Sequence, residues 1–197
     1  MKSRINLLQK LGFFLILVSF LLLLGAEIYA DFNRTATRKL TEQIQSYLPE
    51  RTEGDPQDYS DAQMPVLQLQ GEEFSGLLEI PDYGVALPVG SSWEREDLSR
   101  YPCRFWGSVY DSSLIIGGTG KKGQLDICSR MDLDDKIRIT DMTGTQFCYE
   151  VVGIDRRNHA DMQIFREKQS DLILFVRDEI SMDYILVRCI LAPGYYP

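Results

Sequence analysis

Residues 171–189 read DLILFVRDEISMDYILVRC, and this stretch decides the fold. It holds the apolar run Leu172–Val176 and, after a short polar segment, most of a second run that extends from Tyr184 to Leu191. Apolar runs of this length, bounded by polar and turn-forming residues, are typical of buried β-strands. We therefore predict that they are the last two strands of the domain, with Arg177 directly after the first.

The same pattern of short apolar runs extends back towards residue 74. Turn compositions at Pro81–Gly84 and Asp141–Gly144 separate some of these runs, and the second has the composition of a hairpin loop. Many short strands at this spacing predict a mostly-β barrel or sandwich. The further predicted strands are Leu77–Ile80, Val85–Val89, Leu114–Ile116, Lys136–Thr140 and Gln146–Ile154, and the short helical pieces are Trp93–Leu98, Leu125–Met131 and Ala160–Phe165.

The N-terminal region predicts a membrane anchor. Leu11–Gly25 is an unbroken apolar run, and its extension to Ala30 gives the roughly 20 residues that a helix needs to cross a bilayer. Three basic residues and no acidic residue precede it, which predicts a cytoplasmic N-terminus at 1–10, a signal anchor at 11–30, and a domain outside the cell. A cleaved signal peptide is the alternative, because Ile28-Tyr29-Ala30 ends in a small residue, and it leaves the domain on the same side.

Residues 31–70 are predicted to be a juxtamembrane helix and a linker. Leu40, Ile44 and Leu48 recur at helical spacing within Asn33–Leu48, so they form one apolar stripe that belongs either to a stalk or to a helix packed on the domain. Pro49–Gln63 is rich in charged residues, Pro and small polar residues, which is typical of a flexible linker. The remaining segment, 71–197, is the predicted extracellular domain.

Charge and cysteine content exclude several classes of function. After Ala30 the chain carries 18 basic and 28 acidic residues out of 21 and 29, a net charge of −10, which argues against nucleic acid or anionic lipid as a partner. The four cysteines contain no CxxC pair, and they allow three complete pairings or none. Acidic residues crowd one turn, where a solvated turn is favoured over a calcium site, so no metal and no cofactor are predicted. These acidic residues are Asp126, Asp132, Asp134 and Asp135.

Five segments in order resemble the sortases, cysteine transpeptidases that join surface proteins to the cell wall. They cover about residues 74–193 and read FSGLLEIPDYGVALPV (74–89), SSLIIGGTG (112–120), LDICSRMDLDDKIRITDMTGTQFCYEVVGI (125–154), DLILFV (171–176) and YILVRCILAP (184–193). The resemblance, closest to class B, implies an eight-stranded β-barrel with short helices. It also implies a His-Cys-Arg site in which the cysteine attacks a sorting-signal peptide.

The positions that match this triad hold other residues. Thr119 stands at the histidine position, Arg177 at the cysteine position and Tyr184 at the arginine position. A guanidinium cannot attack a carbonyl, and a threonine hydroxyl cannot act as a general acid near neutral pH. The resemblance therefore implies the sortase fold without the transpeptidase chemistry, and Arg177, Tyr184 and Thr119 become candidate peptide-binding residues.

Relocated catalytic residues are the alternative. The only histidine of the chain is His159, and Cys103 lies in YPCRFWGS, which we expect to be a loop and the most reactive cysteine position. Phe105, Trp106 and Tyr110 near it are expected to form an aromatic core cluster.

The prediction is a membrane-anchored, catalytically inactive sortase-like protein that binds an extended peptide or a surface or pilus protein. The alternative is an active cysteine transpeptidase or hydrolase.

Overall fold

The computed structural model describes residues 2–50, 52–53, 63–94, 97–158, 170–178 and 181–192. The chain divides into two compact units, Met1–Ala36 and Thr37–Pro197. Helix α1, Lys2–Tyr47, supplies the first unit and continues into the second. Large apolar side chains from Leu11 to Leu24 are exposed along it. Within the described part of the chain, no helix is both long and apolar enough to span a bilayer.

The second unit contains a closed β-barrel. The described strands are β1 (Thr52–Glu53), β2 (Leu67–Leu69), β3 (Glu72–Ile80), β4 (Val85–Gly90), β5 (Cys103–Trp106), β6 (Leu114–Thr119), β7 (Lys136–Asp141), β8 (Thr145–Arg157), β9 (Leu172–Arg177) and β10 (Tyr184–Leu191). Eight of them pair in the cyclic order β3-β4-β5-β6-β9-β10-β8-β7, and β7 returns to β3. Two short strands flank this ring, β1 parallel to β8 and β2 antiparallel to β3. The predicted eight-stranded barrel is confirmed.

Both predicted turns are present, and glycine makes each one feasible. A 3₁₀ turn at Pro81–Tyr83 joins β3 to β4, and Gly84 ends it at φ 62°. In the β7–β8 hairpin, Gly144 has φ 85° and its N–H donates to the carbonyl of Asp141 at 3.1 Å. Positive φ is strained for residues with a Cβ but not for glycine, so these two positions fix where the strands reverse.

Strand alternation separates the interior of the barrel from its outer surface. On β9, Leu172, Leu174 and Val176 belong to the main core, whereas Ile173 and Phe175 belong to a different apolar cluster. Successive side chains of a strand point to opposite faces, so the first set fills the barrel and the second covers its outside. The main core also contains residues of β3, β4, β6, β7, β8 and β10.

The end of α1 packs on the barrel through the predicted stripe. Leu40 and Ile44 are buried in a cluster with Phe74, Leu77 and Tyr101, and Leu48 packs against its edge. The Thr37 hydroxyl donates to the carbonyl of Arg100 at 3.1 Å. This part of α1 is therefore a helix packed on the domain and not a stalk, because the domain covers the stripe.

Other expectations need correction. Cys103 is buried in β5 and does not lie in a loop, because it packs beside Tyr101. The helical piece predicted at Leu125–Met131 is a shorter 3₁₀ turn at Asp126–Ser129. Of the described residues of Trp93–Leu98, the last two belong to the 3₁₀ turn Asp97–Ser99. Most of the predicted linker, Ala160–Phe165 and His159 lie outside the described residues. All four cysteines are described, and none forms a disulfide.

Candidate functional site

The three candidate residues lie side by side on neighbouring strands. Thr119 is the register partner of Arg177 in the parallel β6–β9 pair, and Arg177 is the register partner of Tyr184 in the antiparallel β9–β10 pair. Paired strands lie about 4.8 Å apart, so the three backbones cross one edge of the sheet within roughly 10 Å. The fold thus brings together residues that are 58 and 7 positions apart in the sequence. We call them the Thr119–Arg177–Tyr184 row.

The row faces outwards. Val176 and Ile185, the strand neighbours of Arg177 and Tyr184, point into the main core. By alternation, Arg177 and Tyr184 point the other way, and Arg177 is exposed. Thr119 lies two residues beyond Gly117 and four beyond Ile115, which belongs to the outer cluster. All three side chains therefore occupy one outer surface of the barrel.

An apolar floor adjoins the row on this surface. It consists of Ile115, Ile173, Phe175 and Leu186, and Phe105 and Tyr184 pack against it. The four floor residues are between 2% and 7% exposed, so other side chains cover them. The surface combines an apolar strip with polar groups at one end, which is the usual composition of a ligand-binding groove.

Trp93 covers part of this floor. Its ring lies 5.1 Å from that of Phe105 and 5.2 Å from that of Phe175, measured between centroids, and Phe105 and Phe175 are 5.4 Å apart. A Cβ built on Gly117 would approach the Trp93 ring to 2.3 Å. Because Gly117 has no side chain, the Trp93 ring packs directly on its backbone, and a larger residue at position 117 would displace the ring.

The Thr119 hydroxyl is committed to a hydrogen bond. It donates to Gln124 Oε1 at 2.7 Å, and the Thr119 N–H donates to the same oxygen. Gln124 is 4% exposed, and its Nε2 donates to the carbonyl of Leu98 at 3.0 Å. Because the acceptor is an amide oxygen, it cannot remove the hydroxyl proton. Thr119 therefore acts as a fixed part of the surface.

Arg177 and Tyr184 have their side chains available. Neither side chain makes a hydrogen bond or an ion pair with another residue that the structure describes. The backbone of Arg177 is fixed, since its carbonyl accepts the N–H of Gly120 at 3.0 Å. A guanidinium held at a strand end offers five N–H donors in a planar fork, which matches a carboxylate. A phenol beside it adds one donor.

No thiol lies in the row. Cys128 and Cys189 are buried in the main core, and burial raises the pKa of Cys128 to about 12 and that of Cys189 well above its usual value. Cys103 is buried at the edge of β5, and Cys148 on β8 is partly exposed. A thiol with a raised pKa is not a nucleophile near neutral pH. The alternative of relocated catalytic residues would pair Cys103 with His159, and that pair is untested because His159 lies outside the described residues.

Two other expectations can be compared with the structure. Among the described residues, no group of three or more potential metal ligands is close enough to hold an ion. The expected aromatic core cluster is wrong in part: Tyr110 is buried, but Phe105 lies on the outer surface and Trp106 is 70% exposed. The sequence interpretation missed Trp93 and Gly117, although paired glycines within strand β6 indicate a close approach.

Comparisons with known proteins give the family resemblance of this fold. No protein-family model matches the chain, and no curated protein sequence matches it. Solved structures do match. Sortase A from Corynebacterium diphtheriae, as a lid mutant, has a TM-score of 0.57 and 17% identity over 83% of this chain and 95% of that one. Sortase C1 of GBS pilus island 1 has a TM-score of 0.57 and 15% identity over 86% of both.

A third similar structure is that of Clostridium perfringens sortase C with its C-terminal cell wall sorting motif. Its TM-score is 0.54, with 14% identity over 80% of this chain and 90% of that one. Identities of this size establish the fold and leave the chemistry to the residues of the site. The eight-stranded ring, its strand order and these matches agree, and the chain therefore has the sortase fold.

Proposed function

We propose that the protein binds an extended peptide on the outer surface of its sortase-like barrel without cleaving it, as an accessory module in surface-protein or pilus assembly. The observation that carries this proposal is the Thr119–Arg177–Tyr184 row. It has no thiol and no imidazole, but it presents a guanidinium and a phenol whose side chains have no hydrogen-bond or ion-pair partner among the described residues.

The neighbouring surface is suited to an extended chain. A peptide strand places alternate side chains on one face, so one side chain can lie against Phe105 or Tyr184 at the partly exposed edge of the apolar floor while the next faces solvent. Arg177 would then receive a carboxylate from the peptide, as an acidic side chain or as its C-terminus. The similar sortase C structure that contains a cell wall sorting motif supports a peptide as the ligand class.

Arg177→Ala tests the proposal directly. The full-length chain is titrated with end-blocked peptides that carry Glu or Gln at one position beside a Leu. We expect Arg177→Ala to weaken the Glu peptide roughly tenfold or more, because a hydrogen bond to a charged group contributes about 1.5–3 kcal/mol, and to leave the Gln peptide nearly unchanged. Arg130→Ala is the matched control, since Arg130 is an exposed arginine that pairs with Asp126. Unchanged binding of every acidic peptide in Arg177→Ala would contradict the proposal.

The alternative, an active cysteine transpeptidase or hydrolase with relocated residues, makes a separate prediction. It requires product from a sorting-signal peptide and an amine acceptor, and loss of that product when one cysteine is replaced by alanine. Cys148 is the most accessible of the four thiols, so Cys148→Ala is the first variant to examine. We expect mass spectrometry to detect neither cleavage nor a thioester with the wild-type chain. Either product would overturn the assignment as an inactive protein.

We also propose that residues 11–30 attach the protein to the cell membrane, with the domain outside. The support is the run of exposed apolar side chains from Leu11 to Leu24, because such a surface is costly in water. Recovery of the full-length protein in the membrane fraction, with protease access to the domain in intact cells, is the expected result. Release of the protein by high salt or by carbonate would contradict it.

A further inference from the structure

A cavity lies between β4 and β5, the neighbouring strands of the ring that share the fewest paired residues in the described part of the chain. Strands β4 and β5 pair only at Gly90 and Cys103, whereas β6 and β9 pair at six consecutive positions. Beyond Gly90 the segments that follow β4 and form β5 separate, and the space between them is a cavity of about 640 Å³. Residues after β4, on β5, before β2 and in the turn after β5 form its walls, and these are Ser91, Ser92, Trp93, Arg104, Phe105, Trp106, Gln63, Met64, Val66, Gly107, Ser108 and Asp111. We call it the β4–β5 cavity, and its size suits a short peptide segment.

Arg104 supplies positive charge to this cavity. It is half-buried, and its Nε donates to the carbonyl of Ser91 at 3.2 Å. This is its only hydrogen bond to the described part of the chain, so its two terminal nitrogens have no acceptor there. Burial without an ion pair lowers the pKa of Arg104, because desolvation disfavours the charged form. An anionic ligand would relieve that cost by pairing with the terminal nitrogens.

Aromatic side chains form the walls around this arginine. Trp93, Phe105 and Trp106 line the cavity, and Trp106 is 70% exposed. Exposed aromatic side chains and arginine are the residue types that contribute most to the binding energy of protein interfaces. Aromatic rings do so because they bury much apolar area with little loss of conformational freedom. Trp93 also packs on Phe175, so it separates this cavity from the floor beside the Thr119–Arg177–Tyr184 row.

The remaining charge limits the choice of ligand. Asp111 lines the same cavity, and its Oδ1 accepts the N–H of Ser108 at 3.1 Å and the hydroxyl of Ser113. Arg104 is the single cation and Asp111 the single carboxylate among the described residues of these walls, so a ligand with one carboxylate fits better than one with several negative charges. A phosphate-rich polymer would be repelled by Asp111 and by the net charge of −10 that follows Ala30.

We propose that the β4–β5 cavity is a second binding site, which takes a peptide carboxylate on Arg104 and an adjacent apolar side chain between Trp93 and Trp106. The carboxylate comes either from an acidic side chain or from a peptide C-terminus, since both present the same two oxygens. The site stands independently of the proposed function of the row, because it uses none of the three row residues.

Intrinsic fluorescence reports on this site, because the chain has only two tryptophans and both line the cavity. Trp93 also packs on Phe175 beside the row, so a response that Arg177→Ala leaves unchanged belongs to the cavity. The full-length chain is titrated with the end-blocked peptide Gly-Phe-Glu-Leu-Gly, with its Gln counterpart, and with the Gln peptide bearing a free C-terminus. We expect the emission to change with the Glu peptide, with the free-ended peptide, or with both, and not with the blocked Gln peptide. The responding peptide identifies the source of the carboxylate.

Variants then assign the contact. Arg104→Ala is expected to weaken the responding peptide roughly tenfold or more, whereas Arg130→Ala and Arg177→Ala leave the fluorescence titration unchanged. Arg104→Gln retains a donor for the Ser91 carbonyl, so it separates loss of the ion pair from misfolding. Equal responses to blocked Glu and Gln peptides, no response to any peptide at millimolar concentration, or full binding in Arg104→Gln would overturn the proposal. A stronger response to a neutral trisaccharide of N-acetylglucosamine would overturn it as well.

Discussion

Replacement of Asp141 by alanine should strongly destabilise the barrel. The Asp141 side chain is fully buried at the end of β7. Its Oδ1 accepts the N–H groups of Thr143 and Thr145 at 2.8 and 2.9 Å and the Thr143 hydroxyl at 2.7 Å. Its Oδ2 accepts the Tyr110 hydroxyl at 2.6 Å. One carboxylate thus closes the β7–β8 hairpin and ties it to the segment before β6.

The size of the effect follows from these four hydrogen bonds. Each bond to a charged group contributes about 1.5–3 kcal/mol, but exposed donors regain water, so the sum overestimates the loss. We expect Asp141→Ala to lower the free energy of unfolding by about 4 kcal/mol and Tyr110→Phe by about 1.5 kcal/mol. The double variant should lose less than the sum by about 1 kcal/mol, because Tyr110 has already lost its acceptor.

Urea denaturation of the full-length chain, followed by tryptophan emission, measures these values. With a slope of about 2 kcal/mol per molar urea, Asp141→Ala should move the midpoint down by about 2 M. Asp82→Ala is the control, since Asp82 is an exposed acid in the 3₁₀ turn and should change stability by less than about 0.5 kcal/mol. A loss below about 1 kcal/mol for Asp141→Ala, or strict additivity with Tyr110→Phe, would refute the reasoning.

Three further perturbations test other parts of the structure. Gly117→Ala should shift the tryptophan emission and lower stability by about 1–3 kcal/mol, because its Cβ would meet the Trp93 ring at 2.3 Å, whereas Gly12→Ala, with nothing within 4 Å, should not shift the emission. The Lys136 ammonium lowers the pKa of Glu150 through a hydrogen bond and an ion pair. The stabilisation that this pair gives is present above about pH 4.3, the pKa of an unfolded glutamate. It is lost as the pH falls through the lower pKa of Glu150 in the folded state. The difference in urea midpoint between wild type and Lys136→Met should therefore be largest near pH 7 and should decrease as the pH falls below about 4.3. Cys128 and Cys189 should resist a methanethiosulfonate reagent at pH 8 until urea is added, with Cys148 modified first, and rapid native labelling of Cys128, seen by mass spectrometry, would contradict its burial.

The sequence indicated most of the barrel because its strands carry strong local signals. An apolar run such as Leu172–Val176 favours a buried strand in any tertiary arrangement. A turn that requires glycine, such as Asp141–Gly144, fixes the residues at which the flanking strands end. The strands that were missed lacked such signals. Strand β5 begins at a buried cysteine and ends at an exposed tryptophan, and β2 is three residues long, so tertiary pairing alone makes them strands.

The candidate site divides in the same way. The identity of the residues is a property of the sequence: Arg177 and Tyr184 supply no thiol in any fold, and Thr119 is too weak an acid for the role that its position implies. Their proximity required the register of β6, β9 and β10, which long-range pairing sets. The sequence by itself also fixed the strand pattern, the stripe Leu40–Ile44 and the charge after Ala30. Only the tertiary structure decided that Trp93 packs over Gly117, that Cys103 is buried, and that Arg104 faces a cavity. These contacts join residues distant in the chain, and no local preference of the backbone encodes them.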